Sequence, residues 1–265
     1  MELITSVQNP RVKQWMKLHK RKEREKERLY LIEGPHLVQE AYESQALIRA
    51  ILLEEGHEIP PWISGTDGYL MPLLIIVTKP VMEKLSETKT PQGIMAVVEM
   101  AKPKCTFPPS FMFLMVDRIQ DPGNLGTLIR TADAAGFDGV AIGEGSVDLY
   151  NSKTIRSTMG SLFHLPVWQA QLPGFIEEMR AAYPGTRVIG TSLQESKMYT
   201  GVNYDGPVIL VIGNEGSGIS EDILAMTDEN VIIPLYGRAE SLNAAVAGSI
   251  LMYEAVRQRR KSHPD

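Results

Sequence analysis

Ser241 and Asn243 stand where an apolar run, a polar loop and a helix rich in small residues follow one another in residues 231–254. Both types are favoured at helix N-caps, because a side-chain oxygen accepts hydrogen bonds from the free backbone N–H groups of the first turn. Those same N–H groups attract anions. The segment therefore predicts either an anion-binding helix start or simply a capped C-terminal helix packed by its alanines.

Asn124 and Arg130 follow another apolar run, residues 111–116. The Asp-Pro-Gly turn at 121–123 predicts that Asn124 caps a helix over 125–135, with its apolar residues inward and Arg130 on its polar face. A guanidinium grips phosphate in bidentate geometry and is a poor proton acceptor, since it stays protonated at neutral pH. The alternative is a solvated surface arginine beside a routine cap.

Glu215 lies in the segment GNEGSGIS, which follows the apolar run 208–213. Three glycines within six residues let the backbone approach a ligand closely, and Glu215 has no evident packing role. The spacing of Gly213, Gly216 and Gly218 differs from the G-x-G-x-x-G dinucleotide fingerprint, which argues against a nucleotide-dependent dehydrogenase.

The elements that must position these residues alternate between strand and helix. From residue 111 onward, strand-like apolar runs occur at 111–116, 139–142, 187–190, 208–213 and 231–235. Unbroken apolar strands in such an alternation predict a parallel sheet that is covered on both faces. Ligands bind such sheets at the loops that leave the carboxyl ends of the strands, and the three polar segments are loops of that kind.

Residues 1 to about 100 form a separate αβ pattern. It predicts a capped start at 6–10, a basic helix within 10–30, strands at 29–33, 48–53, 73–77 and 93–99, helices at 35–44 and 80–86, and a loop at 56–68. Residues 101–110 contain three prolines and no periodicity, which is typical of a linker. The predicted domains are therefore 1–100 and 111–265, joined by a linker at 101–110.

The charge of the chain is unevenly distributed. The net charge is -5, but residues 10–30 contain nine Lys or Arg and three Glu, which leaves +6 there and -11 elsewhere. Such a basic region suits contact with nucleic-acid phosphates, although a solvated helix face with alternating charges is an equal alternative. The candidate RNA-binding residues are Arg11, Lys13, Lys20, Arg21 and Lys22.

Composition excludes several protein classes. With 43% apolar residues the chain can bury a sizeable core, yet no apolar run approaches the ~18 residues of a membrane helix. The start lacks the pattern of a secretion signal, so we expect a cytoplasmic protein. The single cysteine, Cys105, can form neither an internal disulfide nor a cysteine metal cluster, and we interpret it as an incidental thiol.

Taken together, the polar segments resemble the three motifs of the SpoU/TrmH branch of the SPOUT RNA methyltransferases. The matching stretches are DPGNLGTLIRTADAAGF, NEGSG after VILVIG, and IPLYGRAESLNAAVAGSILMYE. In addition, SVQNPRVK near the start and SETKTPQGIMAVVE before the linker are similar to the RNA-substrate-binding domain that precedes the catalytic domain in this family. The resemblance covers nearly the whole chain.

This resemblance implies an α/β fold: a small αβ RNA-binding domain followed by a SPOUT domain with a parallel sheet and a C-terminal trefoil knot. Strand and helix patterns do not predict the knot, because knots are rare in proteins. The family works as a homodimer with S-adenosylmethionine and needs no metal. The implied reaction is methylation of a ribose 2′-hydroxyl of RNA, with large-subunit ribosomal RNA favoured over tRNA.

The resemblance also implies roles for individual residues. The motif residues are Asn124, Arg130, Glu215, Ser241 and Asn243. The positions that surround the cofactor are Thr191, Gly213, Gly218, Ile233 and Leu242.

Arg130 would stabilise charge and position the substrate, while phosphate or water takes the proton. Asn124 and Ser241 would orient ribose and phosphate. Asn243 would hold its own loop or the cofactor, and Glu215 would fix Arg130 or a neighbouring donor. A catalytically idle RNA-binding protein that serves in ribosome assembly remains the alternative from another class.

Overall fold

The computed structural model describes residues 2–64, 72–103, 106–192 and 196–262. Cys105 and part of the predicted 56–68 loop lie outside these ranges. The chain divides into two compact units, one of Met1–Lys102 with Tyr150–Phe163 and the other of Pro103–Leu149 with His164–Asp265.

The first unit is built on a five-stranded mixed sheet. Its elements from the N-terminal part of the chain are β1 (Glu2–Ile4), α1 (Pro10–Lys17), α2 (Arg21–Glu27), β2 (Leu29–Glu33), α3 (Pro35–Glu43), β3 (Ile48–Glu54), β4 (Leu73–Val77), α4 (Lys79–Leu85) and β5 (Ile94–Glu99). The strand order is β1-β4-β3-β5-β2, with β5 antiparallel to both of its neighbours. Side chains alternate across the sheet, so Ile51 and Leu53 join one buried cluster while Leu52 joins another.

The basic region forms two helices, α1 and α2, where the sequence predicted one. The side chain of Asn9 caps α1 by accepting from the N–H of Arg11 at 2.9 Å. Arg24 is buried, and its guanidinium donates to the carbonyls of Leu18 at 2.7 Å and His19 at 2.8 Å. These carbonyls follow the end of α1, so the break is stabilised by a side chain from the next helix.

The second unit contains a parallel sheet. In chain order, the remaining elements are β6 (Met112–Val116), α5 (Pro122–Ala134), β7 (Gly139–Gly143), α6 (Ser152–Thr158), β8 (Val167–Ala170), α7 (Leu172–Ala182), β9 (Arg187–Thr191), β10 (Lys197–Met198), β11 (Val208–Ile212), α8 (Glu221–Leu224), β12 (Glu229–Ile232) and α9 (Ala244–Ser262). Seven strands pair in the order β10-β12-β9-β11-β6-β7-β8, and every pairing is parallel. The predicted parallel sheet is confirmed.

Helices cover both faces of this sheet. On one face Phe113 and Met115 of β6 pack in a cluster with Phe175 of α7. On the other, α9 approaches α5 so closely that a Cβ at Gly248 would lie 2.5 Å from Leu128. Glycine at this position lets α9 pack closely on α5, because a larger residue would have to displace the Leu128 side chain.

The units differ from the predicted domain boundaries in one segment. Residues 150–163, which contain α6, cluster with the first unit, and Ile155 lies in its core. Within the predicted linker, Phe107 is buried against aromatic rings of the second unit, including Phe111 and Trp168. The predicted boundaries and the trefoil knot both stay predictions.

Among the described helices, none combines the length and apolar character needed to cross a membrane.

Candidate active site

Three predicted site residues, from three different loops, join in one hydrogen-bonded chain. Asn124 lies in the first turn of α5, Glu215 follows β11, and Asn243 immediately precedes α9. The Asn124 side-chain amide donates to Glu215 Oε1 at 2.8 Å, and the Asn243 side-chain amide donates to Asn124 Oδ1 at 2.8 Å. Because β6, β11 and β12 run parallel, these loops leave the sheet at the same edge.

Asn243 fixes the direction of this chain. Its Oδ1 accepts from the backbone N–H groups of Ala245 at 2.9 Å and Val246 at 3.2 Å, so it caps α9. With its oxygen used for the cap, its NH₂ group faces Asn124. Ser241, the other predicted cap, is exposed, and the described residues offer it no hydrogen-bond partner.

The predicted cap at Asn124 is wrong, because Asp121 caps α5. The carboxylate of Asp121 accepts from the backbone N–H of Asn124 at 2.9 Å. Pro122 occupies the first helical position, where its fixed φ is favourable and no N–H is needed, so the helix starts before Asn124. The side chain of Asn124 is thereby released to bind Glu215.

Glu215 accepts hydrogen bonds from the loop after β6 and from the first turn of α5, which that loop leads into. Besides Asn124, the backbone N–H groups of Gln120 and Asp121 donate to its carboxylate at 3.1 and 3.2 Å. Partial burial acts to raise the pKa of Glu215, but these hydrogen bonds outweigh it, and the pKa lies below its ordinary value. Glu215 is therefore a charged tether whose oxygens are occupied, and it is poorly suited to accept a proton.

The loop that presents Glu215 is held by residues that the sequence analysis missed. Asn214 Oδ1 accepts from the backbone of Gly216 and Ser217, and its amide donates to the carbonyl of Arg118 at 2.8 Å. Asp117 is buried and accepts from the N–H of Ser220 at 2.7 Å. In the sequence, Asp117 could have been found from the dense run of polar residues that directly follows β6.

Two glycines close the same loop. Gly218 has a φ of +70°, and Asn214 and Gly218 exchange backbone hydrogen bonds of 2.9 and 3.0 Å. A Cβ at Gly213 would lie 2.2 Å from the backbone carbon of Gly218. The predicted cofactor positions Gly213 and Gly218 thus have a backbone reason to be glycine.

Arg130 does not join the hydrogen-bonded chain. It is exposed on α5, and no described residue pairs with its guanidinium. It lies six residues beyond Asn124, about 9 Å along the helix at ~1.5 Å per residue. The structure therefore brings Asn124, Glu215 and Asn243 together but leaves Arg130 and Ser241 open to solvent.

Of the remaining predicted cofactor positions, Thr191 and Ile233 lie at or just beyond the ends of strands, and Leu242 lies shortly before α9. Thr191 ends β9 and its hydroxyl donates to the carbonyl of Val211 at 3.4 Å, while Ile233 and Leu242 are half-buried at the two ends of the loop before α9. Glycine backbone, a hydroxyl and aliphatic side chains suit a nucleoside with an amino-acid tail, so these residues fit S-adenosylmethionine. Within the described ranges, no three His, Cys, Asp or Glu residues are grouped to hold a metal ion.

Comparison with known proteins identifies the family. The model of the SpoU rRNA Methylase family matches residues 112–253, which include all three loops. The chain belongs to the SpoU rRNA methylase family. The MRM3-like substrate binding domain model matches residues 9–96 of this SpoU methylase. The predicted family and the α/β fold are confirmed.

Full-length relatives support the same assignment. The chain is 43% identical to the 23S rRNA (guanosine(2553)-2′-O)-methyltransferase RlmP of Bacillus subtilis, covering 96% of this chain and 98% of the relative. It is 33% identical to the 23S rRNA (uridine(2479)-2′-O)-methyltransferase of Streptomyces viridochromogenes, covering 97% and 92%. Among solved structures, the AdoMet-bound rRNA methyltransferase from Sinorhizobium meliloti superposes with a TM-score of 0.87 at 32% identity, covering 100% and 99%.

Proposed function

We propose that this SpoU methylase transfers a methyl group from S-adenosylmethionine to a ribose 2′-hydroxyl of large-subunit ribosomal RNA. The supporting observation is the chain Glu215–Asn124–Asn243, which holds the three motif loops together at one edge of the sheet. The names of two relatives, both 23S rRNA 2′-O-methyltransferases, favour ribosomal RNA over tRNA. That substrate agrees with the expected cytoplasmic location.

When bound, S-adenosylmethionine supplies an electrophilic methyl group. The side-chain amides of Asn124 and Asn243 each have two N–H donors. Each amide uses one of them in the hydrogen bonds that link Glu215, Asn124 and Asn243, so its second N–H can bind an oxygen of the substrate. Arg130 grips the adjacent phosphate, Ser241 orients the ribose, and the proton passes to phosphate or water. Glu215 keeps Asn124 oriented. Of the two roles expected for Glu215, this is the one in which it fixes a neighbouring donor, and not the one in which it fixes Arg130.

The proposed RNA affinity of residues 1–100 comes mainly from lysines. Arg11 forms an ion pair with Glu2, and Arg21 forms one with Glu25 at 2.7 Å. By contrast, the other three candidates are exposed and have no ion-pair partner among the described residues; they are Lys13, Lys20 and Lys22. Cations without an internal counter-ion are the ones that gain most from contact with phosphate.

We also infer that the protein is a homodimer through α9. Val246 and Tyr253, seven residues apart and therefore on the same helix face, are 49% and 52% exposed. Ile250 lies between them on this face. An exposed apolar stripe of this kind fits an isologous contact, in which one patch is used twice.

The alternative function is RNA binding without catalysis, as in a ribosome-assembly protein. Mapping of 2′-O-methyl sites in total RNA from cells with and without the gene separates the two. We expect one large-subunit ribosomal RNA site to lose its methyl group when the gene is absent, and to regain it in vitro with purified protein and S-adenosylmethionine. An unchanged methylation map, together with no calorimetric binding of S-adenosylmethionine, would leave the assembly role.

A further inference from the structure

Tyr236 is unusually open to solvent for an aromatic residue. Its exposed fraction is 93%, compared with 52% for Tyr253 and 41% for the neighbouring Leu235. No aromatic ring or cation among the described residues stacks on it. A ring that keeps nearly all its apolar surface in water gains free energy when a flat partner covers it.

The loop that carries Tyr236 is tied to the active site at both ends. It leaves β12 at the carboxyl edge of the parallel sheet and ends at Asn243, which caps α9 and donates to Asn124. Tyr236 precedes Ser241 by five residues and Asn243 by seven. All residues from 235 to 241 are exposed, so the loop offers a surface directly beside the proposed ribose site.

The charges on this loop favour stacking over electrostatic attraction. Arg238 and Glu240 are both exposed, and together they leave the loop without net charge. A neutral loop with a bare phenol ring suits the flat face of a nucleobase better than it suits phosphate alone. Single-stranded RNA offers such faces, because proteins that read it splay out its bases and stack them on aromatic side chains.

We propose that Tyr236 stacks on an RNA base adjacent to the methylated ribose, and that the planar guanidinium of Arg238 contacts the same strand. This inference rests on the proposed RNA methyltransferase function and extends it to substrate recognition. The contact holds the target nucleotide over the site, so its loss weakens RNA binding without changing the chemical step.

The test compares wild type with Tyr236→Ala, Tyr236→Phe and Tyr236→Trp in the full-length protein. The substrate is large-subunit ribosomal RNA from cells that lack the gene. We expect Ala to raise the KM for RNA by about tenfold, with kcat within about twofold, and Phe and Trp to behave as wild type. In all three variants the affinity for S-adenosylmethionine, measured by calorimetry, should be unchanged. The sedimentation of the protein should also be unchanged.

Each other result overturns the inference in a recognisable way. If the KM of Tyr236→Ala for RNA lies within about twofold of the wild-type value, stacking of Tyr236 on RNA is excluded. Weaker S-adenosylmethionine binding by Ala assigns the ring to the cofactor, and altered sedimentation assigns it to a second copy of the chain. If Phe fails as Ala does, the hydroxyl acts and the ring does not. If wild type methylates no RNA at all, the proposed function itself fails, which is a distinct outcome.

Discussion

The side-chain amide of Asn243 donates to the side-chain oxygen of Asn124 across 2.8 Å, although 119 positions separate the two residues. Asn124 in turn donates to Glu215, which is 91 positions away. Each of the three side chains therefore depends on a loop from a different part of the sheet. A change in any one of them should therefore disturb the other two.

Asn124→Asp should make methyl transfer depend on pH in a way that the wild type does not. The variant places a second carboxylate beside Glu215, and two such groups at hydrogen-bond distance raise the pKa of one of them. At pH 8 the two carboxylates repel, and we expect a rate loss of about tenfold or more. Towards pH 6 a shared proton restores the hydrogen bond, and the ratio of variant to wild-type rate should rise.

Asn124→Ala is the control, because it removes the hydrogen bonds without adding charge. Its rate relative to wild type should be low at every pH between 6 and 8. If Asn124→Asp also gives a flat ratio across this range, Glu215 is not its neighbour in the working enzyme.

Glu215 should contribute its full stabilisation above its unfolded pKa and lose it progressively in acid. Its folded pKa is lowered, since hydrogen bonds from Asn124, Gln120 and Asp121 outweigh the effect of burial. The stabilisation is therefore complete above about pH 4.5 and is lost as the pH falls through the folded pKa. Chemical unfolding of wild type and Glu215→Gln across pH 3 to 7 should show a difference at neutral pH that shrinks in acid. A difference that stays constant would mean that the charge of Glu215 is irrelevant to its hydrogen bonds.

The sequence predicted the central strands well and the polar contacts poorly, for physical reasons. The run at 111–116 became β6 within one residue, because an unbroken apolar run in an α/β alternation has few other uses. The edge strands β8 and β10 were missed, since they are short and partly exposed and have no such run. The hydrogen bond between Asn124 and Glu215 depends on the register of β6 and β11, which are neighbours in the sheet but far apart in the sequence. No local sequence pattern specifies that register.

Arg130→Ala should abolish methyl transfer and leave the fold and S-adenosylmethionine binding nearly intact. The side chain is exposed on α5 and contributes nothing to the core, so the thermal midpoint should not move. Arg130→Lys keeps the charge but loses the bidentate fork, and we expect an intermediate rate. Retention by Ala of more than about a tenth of the wild-type rate, a barrier change below ~1.4 kcal/mol, would contradict the assignment.

The lysines of the basic region should dominate the salt dependence of RNA binding. Lys13→Gln with Lys20→Gln removes two cations that lack internal partners, whereas Arg11→Gln with Arg21→Gln removes two that are paired with Glu2 and Glu25. The loss of net charge is equal in the two double variants. We expect the lysine variant to flatten the plot of log affinity against log salt by about one unit or more, and the arginine variant to change it less. Equal slopes in both would show that net charge alone matters. Affinity for S-adenosylmethionine should be unchanged in each.

Val246→Glu with Tyr253→Glu should convert the full-length protein from dimer to monomer. Both side chains are about half exposed on one face of α9, so a single chain can accommodate the charges, but a two-fold contact would bury each of them beside its copy. Sedimentation at micromolar concentration should give twice the chain mass for wild type and the chain mass for the variant. Ala181→Glu with Ala182→Glu, at two exposed positions of α7, adds the same charge and is the matched control, which should stay dimeric. The helix α9 would be excluded as the interface if the double variant still sediments as a dimer with an unchanged dissociation constant. Unfolding of the variant is tested separately by circular dichroism, which should match wild type because neither residue is in the core.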